Sequence, residues 1–202
     1  MIKLITTVSV SSFFLGLFGV SWESVDEKIK REFPGVQTIS SDMLLTYYES
    51  VNTNLPIIID VRKDDEFRVS HLYDALHLES AEAISNMIAE RGLIKDAEII
   101  VYCSVGYRSA SIAADLTERG FIQVLNLEHS LFEWANKGYP MTSESGSTDK
   151  IHPFNKAWGV LIDESLHAYP DKDFCPCKLF FHIMRLTLWN HYPVFEAVAV
   201  VQ

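Results

Sequence analysis

The sequence predicts a layered α/β fold with a central, mainly parallel sheet flanked by helices, and three observations carry that prediction. Ile57-Ile58-Ile59 is an unbroken β-branched run, entered at Pro56 and closed at Asp60, as a strand buried on both faces requires. Glu98 to Tyr102 repeats the pattern further along. Around these two runs, strand signals alternate with single helical patterns, the order that lays helices across both faces of a parallel sheet.

Taken in order, Met1-Ile2-Lys3 leads a mostly apolar stretch from Leu4 to Val20, interrupted by Thr6, Thr7, Ser9, Ser11 and Ser12. An early positive charge, an apolar run and the small residues Gly19-Val20-Ser21 resemble a secretory signal. The run falls short of the ~20 apolar residues of a spanning helix. Residues 1–21 are therefore read as a signal peptide or membrane anchor, with a helix packed on its own domain as the alternative. On the first reading the protein is periplasmic, secreted or membrane-anchored rather than cytoplasmic, and meets the membrane through its N-terminus. Residues 22–35 form a polar helix with a narrow stripe of Val25 and Ile29, ended by Pro34-Gly35.

The next hundred or so residues, 36–141, carry the core domain. Val36 to Ile39 is a short strand, and Ser40-Ser41-Asp42 caps a helix running to about Ser50. Ala75 to Leu78 is a weaker strand, Ala81 to Arg91 a helix stopped by Gly92, and Gln123 to Leu127 another strand before a short helix from Leu131 to Asn136. The helix from Ser109 to Arg119 ends at Gly120, where a left-handed residue belongs, with Phe121 folding back on Leu116. Its start is thereby placed just after Arg108. Residues 142–150, Thr-Ser-Glu-Ser-Gly-Ser-Thr-Asp-Lys, read as a polar linker. Residues 151–202 are a C-terminal extension, whose first part carries Phe154 and Trp158 and is expected to pack back on the domain. Phe132, Trp134 and Trp158 sit at helical positions and read as core.

A chain of 202 residues that is 48% hydrophobic and 22% charged can bury one core with appendages, and is short for two full domains. Its formal charge of -10 opposes non-specific attraction to nucleic acid, which is excluded as a partner. Three cysteines, Cys103, Cys175 and Cys177, make no disulfide framework and leave at least one free thiol. Cys175-Pro176-Cys177 has one residue between its thiols where zinc pairs favour two to four. No nucleotide fingerprint and no metal-seating arrangement is visible, so neither cofactor nor metal is expected.

Chemistry concentrates at Cys103. It stands at the C-terminal end of a central strand, where open α/β sheets place their ligands. Gly106 lets the following backbone bend with its N–H groups inward, toward the N-terminus of a helix. Inward amides, a helix end and Arg108 favour thiolate over thiol and hold negative charge on whatever is attached. The residues themselves therefore point to covalent transfer of an anionic group through Cys103.

The run Cys103-Ser104-Val105-Gly106-Tyr107-Arg108-Ser109 after a buried strand resembles the active-site loop of the rhodanese family. Asp60-Val61-Arg62, Glu66-Phe67, Ser70-His71-Leu72 and Gly138-Tyr139-Pro140 resemble further landmarks of that family, in order. The resemblance implies a three-layer rhodanese-like domain over 36–141, and sulfane-sulfur transfer through a Cys103 persulfide. The donor would be thiosulfate or a persulfide, and the acceptor a thiol, protein or other nucleophile. It also implies that Ser104, Val105, Gly106, Tyr107, Arg108 and Ser109 bind the anion, and that the six-residue count from Cys103 to Arg108 separates sulfur-transfer cradles from seven-residue phosphatase ones. Asp60 and Arg62 are expected to tie the loop down, with Glu66 as a partner for Arg62, and His71 to be a hydrogen-bonded core residue. Two alternatives stay open: a cysteine phosphatase or arsenate reductase, and a non-catalytic module for sulfur carriage or partner binding. Ser70 and His129-Ser130 replace glycines common in the family, which puts the shape of those turns, and access to the site, in doubt.

Overall fold

A computed structural model describes residues 19–50 and 56–170. The leader up to residue 18, Cys175, Cys177 and the rest of the extension from residue 171 lie outside the described residues.

Five strands form one parallel sheet in the order β1-β5-β4-β2-β3. They are β1 (Gln37–Ile39), β2 (Ile57–Asp60), β3 (Leu76–His77), β4 (Ile99–Tyr102) and β5 (Val124–Leu127). β4 is central, paired Ile58 to Ile100 with β2 and Val101 to Asn126 with β5, and every one of its residues is buried. That is why its sequence shows no alternation.

The helices are α1 (Trp22–Glu32), α2 (Ser41–Glu49), α3 (Asp64–Val69), α4 (Ala81–Glu90), α5 (Tyr107–Glu118), α6 (Ser130–Asn136) and α7 (Lys156–Gly159). Alternate side chains of β2 and β4 feed two cores. Ile58, Ile100 and Tyr102 pack with Leu44 of α2 and Leu131, Phe132 and Trp134 of α6. Ile59, Ile99 and Val101 pack with Ile84 and Ile88 of α4 and Ala113 and Leu116 of α5. The layers are helix, sheet, helix, as the alternating pattern predicts.

Helix ends follow local chemistry. The side chains of Ser21, Ser40 and Ser80 accept from the amides of Ser24, Met43 and Ala83 and start α1, α2 and α4. α5 stops as expected. Gly120 takes φ +90°, the Phe121 N–H donates to the Leu116 carbonyl and the Gly120 N–H to that of Thr117.

Four expectations need correction. α5 begins at Tyr107, two residues before Ser109, because Gly106 supplies a left-handed N-cap with φ +96°. α3 was not foreseen, since six residues show too little period to register. Residues 142–150 are no open linker: β6 (Met141–Ser143) and β7 (Gly146–Thr148) form an antiparallel hairpin. Thr142 bridges to His71 by hydrogen bonds in both directions, fastening the hairpin to the body. Trp158 is half-buried and packs against the edge of the core rather than within it, while Phe132 and Trp134 are core as predicted. Among the described residues, no helix is long and apolar enough to cross a membrane.

Candidate active site

β4 delivers Cys103 to the C-terminal edge of the sheet, with its side chain 1% exposed. The loop then turns back over the sulfur. Gly106 donates its N–H to the Cys103 Sγ at 3.2 Å, and its own carbonyl accepts from Asn126 Nδ2 at 3.1 Å. A Cβ at Gly106 would have room, since its nearest neighbours are at 3.5 Å, but φ +96° excludes ordinary L side chains.

The first turn of α6 holds the loop from behind. Ser130 Oγ accepts the Cys103 N–H at 3.1 Å and donates to the Leu127 carbonyl at 3.0 Å. The Leu131 and Phe132 amides donate to the carbonyls of Cys103 and Ser104, so helix N–H groups that lack intrahelical partners are used to fix the loop. His129 and Ser130 reach this turn with φ +51° and +49°. The left-handed shape a glycine would give is therefore kept, at some backbone strain. Ser70, by contrast, is extended with φ −166°, and needs no glycine.

Burial pushes the Cys103 thiol up. The Arg108 charge, the Ser109 hydroxyl and the amides of Ser109 and Val105 outweigh it, and the balance lies below the ordinary thiol value. Among the described residues, Ser109 Oγ, fully buried, has no other hydrogen-bond partner. The sulfur is thus poised toward thiolate, as a nucleophile must be.

Arg108 is not free at the mouth. Its Nη1 and Nη2 reach the two carboxylate oxygens of Glu66 at 2.8 and 2.7 Å, and Nη2 also reaches Ser104 Oγ at 2.9 Å. Ser104 Oγ donates to Glu66 at 2.7 Å. Burial raises the Glu66 carboxyl, but Arg108 and Ser104 bring it down to about 2, so the pair is ionic at neutral pH. Glu66 was expected to partner Arg62, and this corrects it: α3 turns Glu66 toward the Cys103 loop. Arg62 instead binds Asp60, Nη2 to Oδ2 at 2.7 Å and Nε to Oδ1 at 3.0 Å, with both side chains fully buried. Arg62 also donates to the Ser70 carbonyl, so this pair ties β2 to the Ser70 turn rather than to the Cys103 loop. His71 Nδ1 lies 3.0 Å from the Phe67 carbonyl, with its ring stacked on Phe67, a hydrogen-bonded structural histidine.

Tyr107 points its hydroxyl at Glu32 and Lys28 of α1, while its ring lines the site. Over Cys103 lies a cavity of about 170 Å³, walled by Val105, Tyr107 and Arg108 and roofed by Phe154 and Trp158. The roof was not identified as part of the site, because some fifty residues of chain separate it from the loop. Nor were Asn126 and Ser130, whose polarity at buried positions was the available signal. Among the described residues no cluster of His, Cys, Asp and Glu could hold a metal.

The Rhodanese-like domain model matches residues 45–137. A sulfurtransferase of Allochromatium vinosum is 31% identical over 90 residues, covering 45% of this chain and 81% of that protein. YibN of Escherichia coli (strain K12) is 30% identical over 91 residues, again 45% of this chain, and the match spans 64% of YibN's own length. The crystal structure of a thiosulfate sulfurtransferase from Pseudomonas aeruginosa shares the fold at TM-score 0.52 and 16% identity, covering 69% of this chain and 26% of that one. With its parallel five-stranded sheet and its cysteine loop at the end of the central strand, the chain belongs to the rhodanese-like domain family.

Proposed function

We propose that the protein is a sulfurtransferase that carries sulfane sulfur on Cys103. The observation that supports this best is the Cys103 sulfur itself, buried at the end of β4, accepting the Gly106 amide and held below the ordinary thiol pKa. The Cys103 thiolate attacks the outer sulfur of a donor such as thiosulfate or a persulfide. The inner sulfur leaves with its substituent, and the chain keeps a Cys103 persulfide. A thiol or other nucleophile then attacks that terminal sulfur and restores the thiolate. The loop amides from Ser104 to Ser109 and the N-terminus of α5 carry the charge of the persulfide anion. Arg108 orients the loop through Glu66.

The count of six residues from Cys103 to Arg108 supports sulfur over phosphate or arsenate, as the family resemblance implies. Intact-mass measurement after incubation with thiosulfate, and separately with a persulfide donor, tests the proposal. One added sulfur on the native chain and none on Cys103→Ser is the expected outcome. Hydrolysis of a phosphate ester without any sulfur adduct would sink it. Membrane attachment through residues 1–21, and a periplasmic or secreted location, belong to the same proposal, and are tested by fractionation of the full chain.

A further inference from the structure

Phe154 and Trp158 come from a strap that closes on itself. The Ile151 N–H donates to the Leu166 carbonyl at 2.8 Å, and the Ala168 N–H to the Ile151 carbonyl at 2.9 Å. Asn136 at the end of α6 fastens it, donating from Nδ2 to the Leu161 carbonyl at 2.7 Å and accepting the Asp163 N–H at 3.2 Å. Ile151, Leu161 and Ile162 plug into the core. Asn155 caps α7 and so aims Trp158.

Within this built frame, one residue breaks a backbone rule. Phe154 sits at φ +60°, a conformation bulky side chains avoid, with 43% of its surface exposed. Core packing does not account for an exposed ring held at such a backbone. Its ring lies over the Arg108 guanidinium, 5.0 Å from Cζ to centroid, and walls the cavity above Cys103. Strain retained beside a nucleophile points to a role at the site.

Size and charge then define what fits. The cavity of about 170 Å³ has an almost wholly apolar lining, and an apolar cavity of ~150 Å³ suffices for a benzene ring. The single guanidinium at its edge is already neutralised by the two oxygens of Glu66. A dianion such as thiosulfate would lose water there without gaining an unpaired cation.

We infer that the site takes its sulfur from an organic sulfane-sulfur donor bearing an apolar group, in preference to inorganic thiosulfate, and that Phe154 and Trp158 select that group. This rests on the sulfur-transfer reading of Cys103. With an aryl thiosulfonate as the stable member of the class, the Cys103 thiolate forms an S–S bond to the outer sulfur. The bond from that sulfur to the sulfonyl sulfur breaks, the electron pair leaves on the sulfinate, and Cys103 persulfide remains. A persulfide donor R–S–SH reacts likewise, releasing the thiolate RS⁻. Atoms and charge balance in both, and no outside oxidant or reductant is needed.

The test follows the rate of sulfur loading on the Cys103 peptide of the full chain, by mass spectrometry. Three probes are used: thiosulfate, methanethiosulfonate and benzenethiosulfonate. The methane probe has the charge and leaving chemistry of the benzene one without its ring. Loading by benzenethiosulfonate is expected to exceed loading by methanethiosulfonate by about tenfold, with thiosulfate slower still. Phe154→Gly, which adopts the left-handed backbone without strain and so preserves the strap, is expected to erase most of the benzene-to-methane ratio, as is Trp158→Ala. A ratio unchanged in both variants, or thiosulfate loading as fast as the aryl probe, overturns the inference while the sulfur adduct itself upholds sulfur transfer. No adduct from any probe overturns both.

Discussion

Cys103 combines burial with a pKa shifted downward, two properties that oppose each other unless nearby charge and amides intervene. The account therefore predicts that alkylation of Cys103 by a small haloacetamide, followed on its own peptide, rises with pH through a midpoint below that of a free cysteine, ~8.5. Arg108→Met removes the nearest positive charge and moves the midpoint upward. A midpoint in the native chain at or above the free-cysteine value would contradict the description of the loop. Glu66 makes a second prediction at this scale. Its folded pKa of about 2 lies below the ordinary 4.5, so its contribution to stability is present above 4.5 and is lost as pH falls toward 2. Glu66→Gln is expected to cost about 2 kcal/mol at neutral pH in denaturant unfolding, discounted because Arg108 keeps some contact with water. It should also flatten the acid side of the stability profile. Cys103, Gly106 and Arg108 were legible in the sequence because strand, glycine and cation follow one another within six residues. The link from Arg108 to Glu66 spans 42 positions, and no local pattern announces it.

At the scale of elements, two helix ends hold the loop between them. α5 offers its N-terminus to the sulfur, and α6 grips the loop carbonyls through Leu131, Phe132 and the Ser130 hydroxyl. Ser130→Ala leaves the Cys103 N–H without its partner and is expected to destabilise the fold by about 1–2 kcal/mol and to slow sulfur loading. The entry to α6 also carries a pH signature. His129 packs its ring at a tilt on Trp22 and lies within 3.0 Å of Asp26 and 3.3 Å of Glu133, bridging α1 to α6. Burial lowers its pKa, but the two carboxylates raise it further, so the net shift is upward from 6.5. A raised folded pKa means that the stability it supplies is full below 6.5 and is lost as pH rises through the folded value. The unfolding midpoint should therefore fall between mildly acidic and alkaline pH, and His129→Asn, which tolerates the left-handed backbone, should remove that slope. At the other end of α5, Gly120→Ala is expected to cost about 1 kcal/mol through backbone strain alone. The Schellman ending at Gly120 was readable because glycine and the hydrophobic Phe121 are both local signals. The start of α5 was misplaced by two residues because Gly106 serves at once as the loop's bend and as the helix cap.

For the molecule as a whole, the long buried runs of β2 and β4 announce a parallel sheet, and the layers follow from it. What the sequence conceals is how its weakly patterned parts return to that frame. The β6–β7 hairpin has no apolar alternation, and its attachment is a backbone bridge from Thr142 to His71 that any residues could make. The strap carrying Phe154 and Trp158 reaches the site only through tertiary contacts, so Trp158 read as core and Phe154 only as an anchor of the extension. Asp60 and Arg62, two positions apart and wholly buried, were legible as structural residues, but not as each other's partners, and they anchor the Ser70 turn and not the cysteine loop. Asp60→Ala would leave a buried guanidinium unpaired, and is expected to cost about 3–5 kcal/mol, read as a lowered denaturant midpoint.

The central claim, that this architecture exists to make Cys103 a sulfur carrier, is tested most directly by intact mass after exposure to a sulfane-sulfur donor. The account predicts a single added sulfur on the native chain, discharged by a thiol, and none on Cys103→Ser. An adduct that persists on Cys103→Ser, or a native chain that takes up no sulfur from thiosulfate, thiosulfonate or persulfide, would contradict it.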